Sequence, residues 1–266
     1  MKRIKSIDLF AGCGGLMDGF EQSGHFDTVA AVEWEKAPCR NLEIRLRDKW
    51  KYNDADRRVL RFDIQRTDEL FQGWNDDSEY GSSIGLDELI KEVKGIDVII
   101  GGPPCQAYSI AGLVRDENGM KDDYRNFLFE SYIKVLKRYK PKMFIFENVP
   151  GILSAKPTGK PIIEVIRQSF NEAGYSLLSD LTKAIIDFTD YGVPQNRKRI
   201  IIFGVNTEYF GEKSEEIVDL FYNKYLPEYK VRDKKTVYGA IGDLPKLYPE
   251  KETLKVNGVR TRHSLP

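Results

Sequence analysis

Apolar positions fall along this chain in two rhythms: short unbroken runs, and longer stretches with an apolar residue every three or four positions. The run "IKSIDLF" predicts a strand ending at Phe10, and "GGLMDGFEQSG" predicts a helix stopped by Gly24. "TVAAVEW" predicts a second strand, and a mostly charged helix follows from about Lys36 to Lys49. A third, weaker strand falls in "RRVLRFDI". An amphipathic helix, "LDELIKEVKG", then leads into the strongly buried strand "IDVIIGG".

A polar stretch from Ala111 to Arg125 interrupts the alternation. It resumes with the helix "NFLFESYIKVLKRYK" and, after Pro141, the strand "MFIFENV". "PIIEVIRQSFNEAG" predicts a further helix with a glycine stop, and "SLLSDLTKAII" and "RIIIFGV" predict the last strands. Strands alternating with helices point to an α/β fold with a doubly wound, mostly parallel sheet. From Asn206 onward the rhythm changes to one helix, "EEIVDLFYNKYL", and a polar run holding "KKTVYGAIGDLPKL", with no further strand pair. The expected division is a main domain over residues 1–205 and a connector over 206–266.

Composition narrows the function classes. The 41 basic and 41 acidic residues balance, which excludes a strongly basic nucleic-acid binder as a whole but leaves room for a local basic face. No stretch approaches the roughly 18 apolar residues of a membrane span, and "MKRIKSIDLF" lacks an apolar region of signal-peptide length. A cytoplasmic location and no membrane partner are expected. The 3 cysteines, Cys13, Cys39 and Cys105, form no CxxC pair, so neither a disulfide framework nor a metal site is expected. The 2 histidines, His25 in a turn and His263 near the end, make a histidine-activated thiol a poor expectation.

Candidate chemistry gathers at strand ends. The first strand runs into "FAGCGG", placing Gly12, Gly14 and Gly15 at a strand-to-helix turn whose free N–H groups suit an anion. The spacing is not the dinucleotide G-x-G-x-x-G, so a smaller anion such as an amino-acid carboxylate fits better. Glu33 ends the second strand, about 20 residues beyond the glycines, where an acid commonly takes ribose hydroxyls. Trp34 can cover an adenine face, and Asp63 after the third strand can accept from an adenine amine. Together these residues point to a nucleoside-type cofactor; the glycines alone could be a tight turn without a ligand.

"GGPPCQAYS" follows the fourth strand. Cys105 therefore stands at the edge where open α/β sheets bind ligands, with Pro103 and Pro104 stiffening its approach. An isolated cysteine is more often a core residue, but a core thiol belongs inside the strand. "FENVP" sets Glu147 and Asn148 on the same edge, although such a carboxylate can also merely cap a helix. "YGVPQNRKRIII" places Arg197 and Arg199 at alternate positions, either facing one ligand or forming a solvated basic edge.

"DLFAGCGGL", "VEW", "GGPPCQAYS", "FENVPG" and "YGVPQNRKR" resemble motifs I, II, IV, VI and VIII of the cytosine-C5 DNA methyltransferase family, in the family's order, over roughly residues 4 to 205. The resemblance implies a Rossmann-like methyltransferase sheet and S-adenosylmethionine as cofactor. It implies transfer of a methyl group to carbon 5 of a cytosine flipped out of double-stranded DNA, in a restriction–modification setting. Cys105 would attack C6, Glu147 would hydrogen-bond or protonate N3, and Arg199, with Arg197 behind it, would hold the base O2 and the catalytic loop. A free thiol is only about a few per cent thiolate at neutral pH, so coupling its attack to charge stabilisation at the base replaces a histidine.

The resemblance also assigns Phe10 to the adenine, Gly12, Gly14, Gly15 and Leu16 to the methionine portion, and Glu33 with Trp34 to the ribose and adenine. Asp63 with Ile64 would take the adenine edge, and Pro104 and Leu128 would line the cofactor. Gln106, Ser109, Asn148 and Gln195 fall to the substrate and its loop, which spans Gln106 to about Arg125 and would close as a lid. The family continues beyond motif VIII into a target-recognition region and motifs IX and X, which do not appear here. The expectation is the catalytic subunit of a split enzyme, completed by a second polypeptide; a truncated chain or gene remnant is the alternative. Methylation of transfer RNA, and an inactive nucleic-acid-binding relative, are the rival functions.

Overall fold

The computed structural model describes residues 2–104, 128–156, 159 and 161–245, with the backbone alone of 249–256 and 259–263. Cys105, Gln106, Ser109 and the expected lid lie outside the described residues. The strands are β1 (Ile4–Leu9), β2 (Phe26–Glu33), β3 (Val59–Arg61), β4 (Gly73–Asp77), β5 (Gly81–Ile84), β6 (Val98–Gly101), β7 (Met143–Asn148), β8 (Tyr175–Ser176), β9 (Ile185–Asp187) and β10 (Lys198–Asn206). The helices that matter below are α1 (Gly15–Gln22), α2 (Lys36–Ile44), α3 (Ala55–Arg58), α4 (Thr67–Gln72), α5 (Leu86–Val93), α6 (Leu128–Tyr139) and α7 (Ile162–Glu172).

The main sheet runs β3-β2-β1-β6-β7-β10-β8, with β9 beside β10. β3, β2, β1, β6 and β7 are parallel, and β10 is antiparallel to both β7 and β8. This is a doubly wound α/β sheet, mostly parallel as the alternation of apolar runs requires. The central strands are buried on both faces, so their sequences are nearly continuous in apolar residues: Val98, Ile99 and Ile100 in β6, and Ile200 to Val205 in β10, are all buried.

Aromatic rings fill one side of the sheet. Phe144 stacks on Phe170 of α7 at 4.3 Å, and the Tyr132 hydroxyl lies 3.1 Å from Ile99 O and 3.0 Å from Ile145 O. β10 crosses Phe144 at Gly204, where a Cβ would stand 2.0 Å from the ring, so only glycine fits.

Three local expectations change. The charged helix from Lys36 is regular to Ile44 and finishes as a wider, π-type turn over Arg45–Lys49. "SLLSDLTKAII" is not one strand: Asp180 accepts the Thr182 N–H and closes a tight turn at Leu181–Ala184, which leaves only short β8 and β9 on either side. Between β3 and α5 lie α4 and the hairpin β4–β5, whose Trp74 stacks on Phe62 at 4.0 Å.

The tail does contain a further strand pair, β11 (Pro249–Val256) with antiparallel β12 (Val259–His263). The signal for it was "VNGV", an Asn-Gly pair between alternating residues.

The chain packs as two compact units. One holds the residues up to Ile186 together with Lys198–Glu228, and so includes the whole path of the main sheet. The other holds Asp187–Arg197 and the residues from Tyr229, including a helix at Val237–Ile241 capped by the Thr236 hydroxyl on Gly239 N. Among the described residues no helix is long and apolar enough to cross a membrane.

Candidate active site

Register brings the strand ends together. Leu9 pairs with Val32 and Gly101, Gly101 with Phe146, and Glu33 with Arg61, so the residues following these positions share the carboxyl edge of the sheet. β10 runs the other way, pairing Ile201 with Glu147 and Ile200 with Asn148, which brings Arg199 to that same edge.

The glycine loop turns sharply. Phe10 (φ 58), Gly12 (φ 55) and Gly14 (φ 83) are all left-handed, a conformation uncommon for an aromatic residue and characteristic of functional turns. A Cβ on Gly14 would meet Leu42 Cδ2 at 2.6 Å, whereas one on Gly12 or Gly15 would meet nothing within 4 Å. Gly14 is therefore a packing requirement, and Gly12 and Gly15 leave backbone open to approach.

Glu33 closes the loop. Its Oε2 accepts the Gly12 N–H at 2.9 Å, and its Oε1 accepts the N–H groups of Trp34 and Glu35, each at 2.9 Å. A carboxylate has about four acceptor positions, so one remains for a ligand.

Beside this loop lies a cleft of about 430 Å³. Of the residues singled out from sequence, it is walled by Phe10, Glu33, Trp34, Asp63, Ile64, Pro104 and Leu128. Gly12 touches its wall through Glu33; Gly14, Gly15 and Leu16, at the start of α1, do not line it. Val32, Glu35, Phe62, Gln65 and Gly102 complete the wall and were missed, although each adjoins a residue already chosen or sits one step past a strand end. Three carboxylates, Glu33, Glu35 and Asp63, face this space with no lysine or arginine among its lining residues. Such a wall repels a pyrophosphate and favours a cationic ligand rich in hydroxyls and amines.

Asp8 lies beneath the loop, fully buried. Its Oδ2 accepts the Met17 N–H from the first turn of α1 at 3.2 Å, and its Oδ1 has no hydrogen-bond partner among the described residues. Burial raises its carboxyl to about 7, against the pull of the Met17 N–H, and the nearby Glu33 charge adds to the rise. Sequence reading passed over it. Cys39, by contrast, is a structural thiol: buried in α2 and pushed up to about 12 by burial first and then by Glu33.

Farther along the edge, Arg199 Nε stands 2.9 Å from Glu147 Oε1, both side chains about one-fifth exposed. A Cβ on Gly102 would fall 2.9 Å from Glu147 Oε2, so the chain leaving β6 passes directly against that carboxylate. Buried Asn148 donates from Nδ2 to Pro103 O at 3.4 Å, fixing the diproline to the end of β7. Cys105 follows two residues later in the chain. Arg197 precedes β10 and belongs to the other unit, where its guanidinium lies 6.0 Å from the Phe188 ring; Gln195 is exposed in the turn before it.

Known proteins place this arrangement. The chain matches the C-5 cytosine-specific DNA methylase family over residues 4–264, extending the resemblance through the tail. The type II methyltransferase M.Bpa9945I of Bacillus paralicheniformis is 35% identical over 288 residues, 92% of this chain and 61% of that protein. M.AquIA, a type II methyltransferase of Picosynechococcus, is 32% identical over 260 residues, 92% of this chain and 90% of that protein. The crystal structure of a prophage-encoded DNA modification methyltransferase of E. coli is similar with a TM-score of 0.60 at 25% identity, covering 95% of this chain and 58% of that one. The chain thus spans about half to three-fifths of the first curated relatives it matches, covering 61%, 57% and 52% of them. With the match running over nearly its whole length, this chain belongs to the C-5 cytosine-specific DNA methylase family.

Proposed function

We propose that the chain methylates carbon 5 of cytosine in duplex DNA, using S-adenosylmethionine, as one part of a restriction–modification system. The observation that carries this reading is the cluster at the edge of β6, β7 and β10. Glu147 is held by Arg199 against Gly102, while Asn148 ties down the diproline that leads to Cys105.

The cleft residues fit the cofactor. Its ammonium and sulfonium are cationic and its ribose and adenine offer hydroxyls and an amine, matching a wall of Glu33, Glu35 and Asp63 with Phe10 and Trp34 as aromatic surfaces. Its carboxylate suits the start of α1 at Gly15, where the backbone is open to approach. When bound, S-adenosylmethionine supplies an electrophilic methyl group.

The protein's part in the chemistry is as follows. The Cys105 thiolate adds to C6 of the flipped cytosine, and the electron pair displaced from the ring reaches N3, where Glu147 hydrogen-bonds or protonates it. Arg199 orients Glu147 and holds O2. After methylation a base removes the C5 proton, and the C6–S bond breaks to restore the aromatic ring and the thiolate.

Residues 1–205 carry catalysis and cofactor binding in this reading, and residues 206–266 lead toward target recognition on a second polypeptide.

The test is a covalent adduct with duplex DNA containing 5-fluorocytosine, trapped with cofactor present. The adduct should form with the chain and be lost in Cys105→Ser. Methylation of transfer RNA in preference to duplex DNA overturns the substrate, and full-rate methylation of a specific DNA site by the chain alone overturns the second polypeptide.

A further inference from the structure

The balanced total charge leaves one segment unexplained, "YKVRDKKTVY", residues 229–238. Its backbone is anchored within its own unit. Val231 N donates to Asp190 O at 2.8 Å, and a Cβ on Gly192 would stand 3.4 Å from Val231 Cγ1. Lys230 and Lys234 both pair with Asp190, at 3.2 and 2.7 Å, and Lys234 also reaches Thr189 Oγ1 at 3.1 Å. Two of the four cations are thus used to hold the segment to the turn at Phe188–Tyr191.

The other two, Arg232 and Lys235, are exposed and have neither an ion pair nor a hydrogen bond among the described residues. Tyr229 and Tyr238 flank them at 75% and 82% exposure. The acidic groups in reach are Asp190, already paired twice, Asp187, whose charge acts on Lys234, and exposed Asp233, so with four cations the segment keeps a positive balance. Folding gains nothing visible from leaving Arg232, Lys235 and two tyrosines in water on a fixed loop, yet arginine, lysine and tyrosine are the side chains that bind phosphate oxygens.

We infer that residues 229–238 form a backbone-binding strip for duplex DNA, in which Arg232 and Lys235 contact phosphates and Tyr229 and Tyr238 support them. The contacts carry no sequence information; they hold the duplex in place and make binding salt-dependent. The inference rests on the DNA reading above.

The experiment measures the affinity of the full chain for a short mixed-sequence duplex at several salt concentrations, comparing the parent, Arg232→Ala/Lys235→Ala, and a control. The control, Lys91→Ala/Lys137→Ala, removes the same charge from exposed helical positions in the other unit. Loss of two phosphate contacts lowers the log–log salt slope by about 2 and weakens binding about ten- to a hundredfold at 0.1 M salt, while the control keeps the parent's slope. An unchanged slope in the strip variant, or an equal fall in the control, overturns the strip while leaving the DNA reading intact. A parent that binds no duplex, or binds only transfer RNA, overturns the DNA reading itself and the strip with it. Melting temperatures equal to the parent's exclude misfolding of the variants.

Discussion

Arg199 reaches across from the second residue of β10 to Glu147 near the end of β7, its Nε 2.9 Å from the carboxylate Oε1. The antiparallel pairing of these strands makes the contact possible. A parallel β10 would begin at the opposite edge of the sheet and carry the guanidinium away from the site.

Glu147→Gln keeps the side chain's size and removes its proton-transfer capacity. Single-turnover methyl transfer to duplex DNA should slow at least about a hundredfold, with cofactor affinity unchanged. Arg199→Lys keeps the charge but loses the planar fork, and the expected loss is about tenfold. A Glu147→Gln enzyme that transfers methyl groups at the parent's rate removes Glu147 from the chemistry.

Cofactor affinity should separate from nucleophilic chemistry. Trp34→Ala and Asp63→Ala each take a surface from the cleft and should raise the calorimetric Kd for S-adenosylmethionine about tenfold, the equivalent of 1.4 kcal/mol. Cys105→Ser should leave that Kd in place while abolishing the 5-fluorocytosine adduct.

The two left-handed glycines of the loop should respond in opposite ways. Gly14→Ala drives a methyl group into Leu42 and Met17 in addition to backbone strain, and should cost about 3 kcal/mol in denaturant unfolding. Gly12→Ala meets open space, so strain alone costs about 1 kcal/mol. Its larger effect should be weaker cofactor binding, because the added methyl occupies the approach to the backbone.

Asp8 makes stability fall as pH rises. Its carboxyl titrates near 7 in the folded chain and near its ordinary 3.8 when unfolded. Between those values the folded state holds a proton that the unfolded state has released, so Asp8's contribution declines from about pH 4 to about pH 7 and is level above. Asp8→Asn retains an acceptor for the Met17 N–H and removes the titration. It should gain on the parent by up to about 4 kcal/mol between pH 4 and pH 8 in urea unfolding. A pH-independent difference between the two proteins would contradict this account.

Much of the fold was legible because the parallel strands, covered on both faces, must be apolar throughout. β2, β6 and β7 stand out for that reason and β1 through its apolar end, and their ends mark the edge where Phe10, Glu33, Gly102 and Glu147 meet. The hairpin β4–β5 was not legible: apart from Trp74, Tyr80 and Ile84, its segment is glycine, serine, asparagine and acid, the composition of a loop. "SLLSDLTKAII" misled because its apolar residues bury from a tight turn as readily as from a strand, and only the Asp180 side chain marks the difference. Asp8 escaped notice because nothing in "SIDLF" tells that its carboxyl is sealed under α1. Six of the seven cleft-lining residues expected from sequence were legible because each stands beside a strand end or within a motif, and Leu128, at the start of α6, came from the family resemblance; their arrangement around one space needed the register.

Glu33 has one more consequence. Three backbone N–H groups immobilise its carboxylate before any ligand arrives, so the entropy of ordering that group is lost during folding and not on association. A molecule entering the cleft meets a rigid acceptor, and its affinity there depends on how well its own donors match that fixed position.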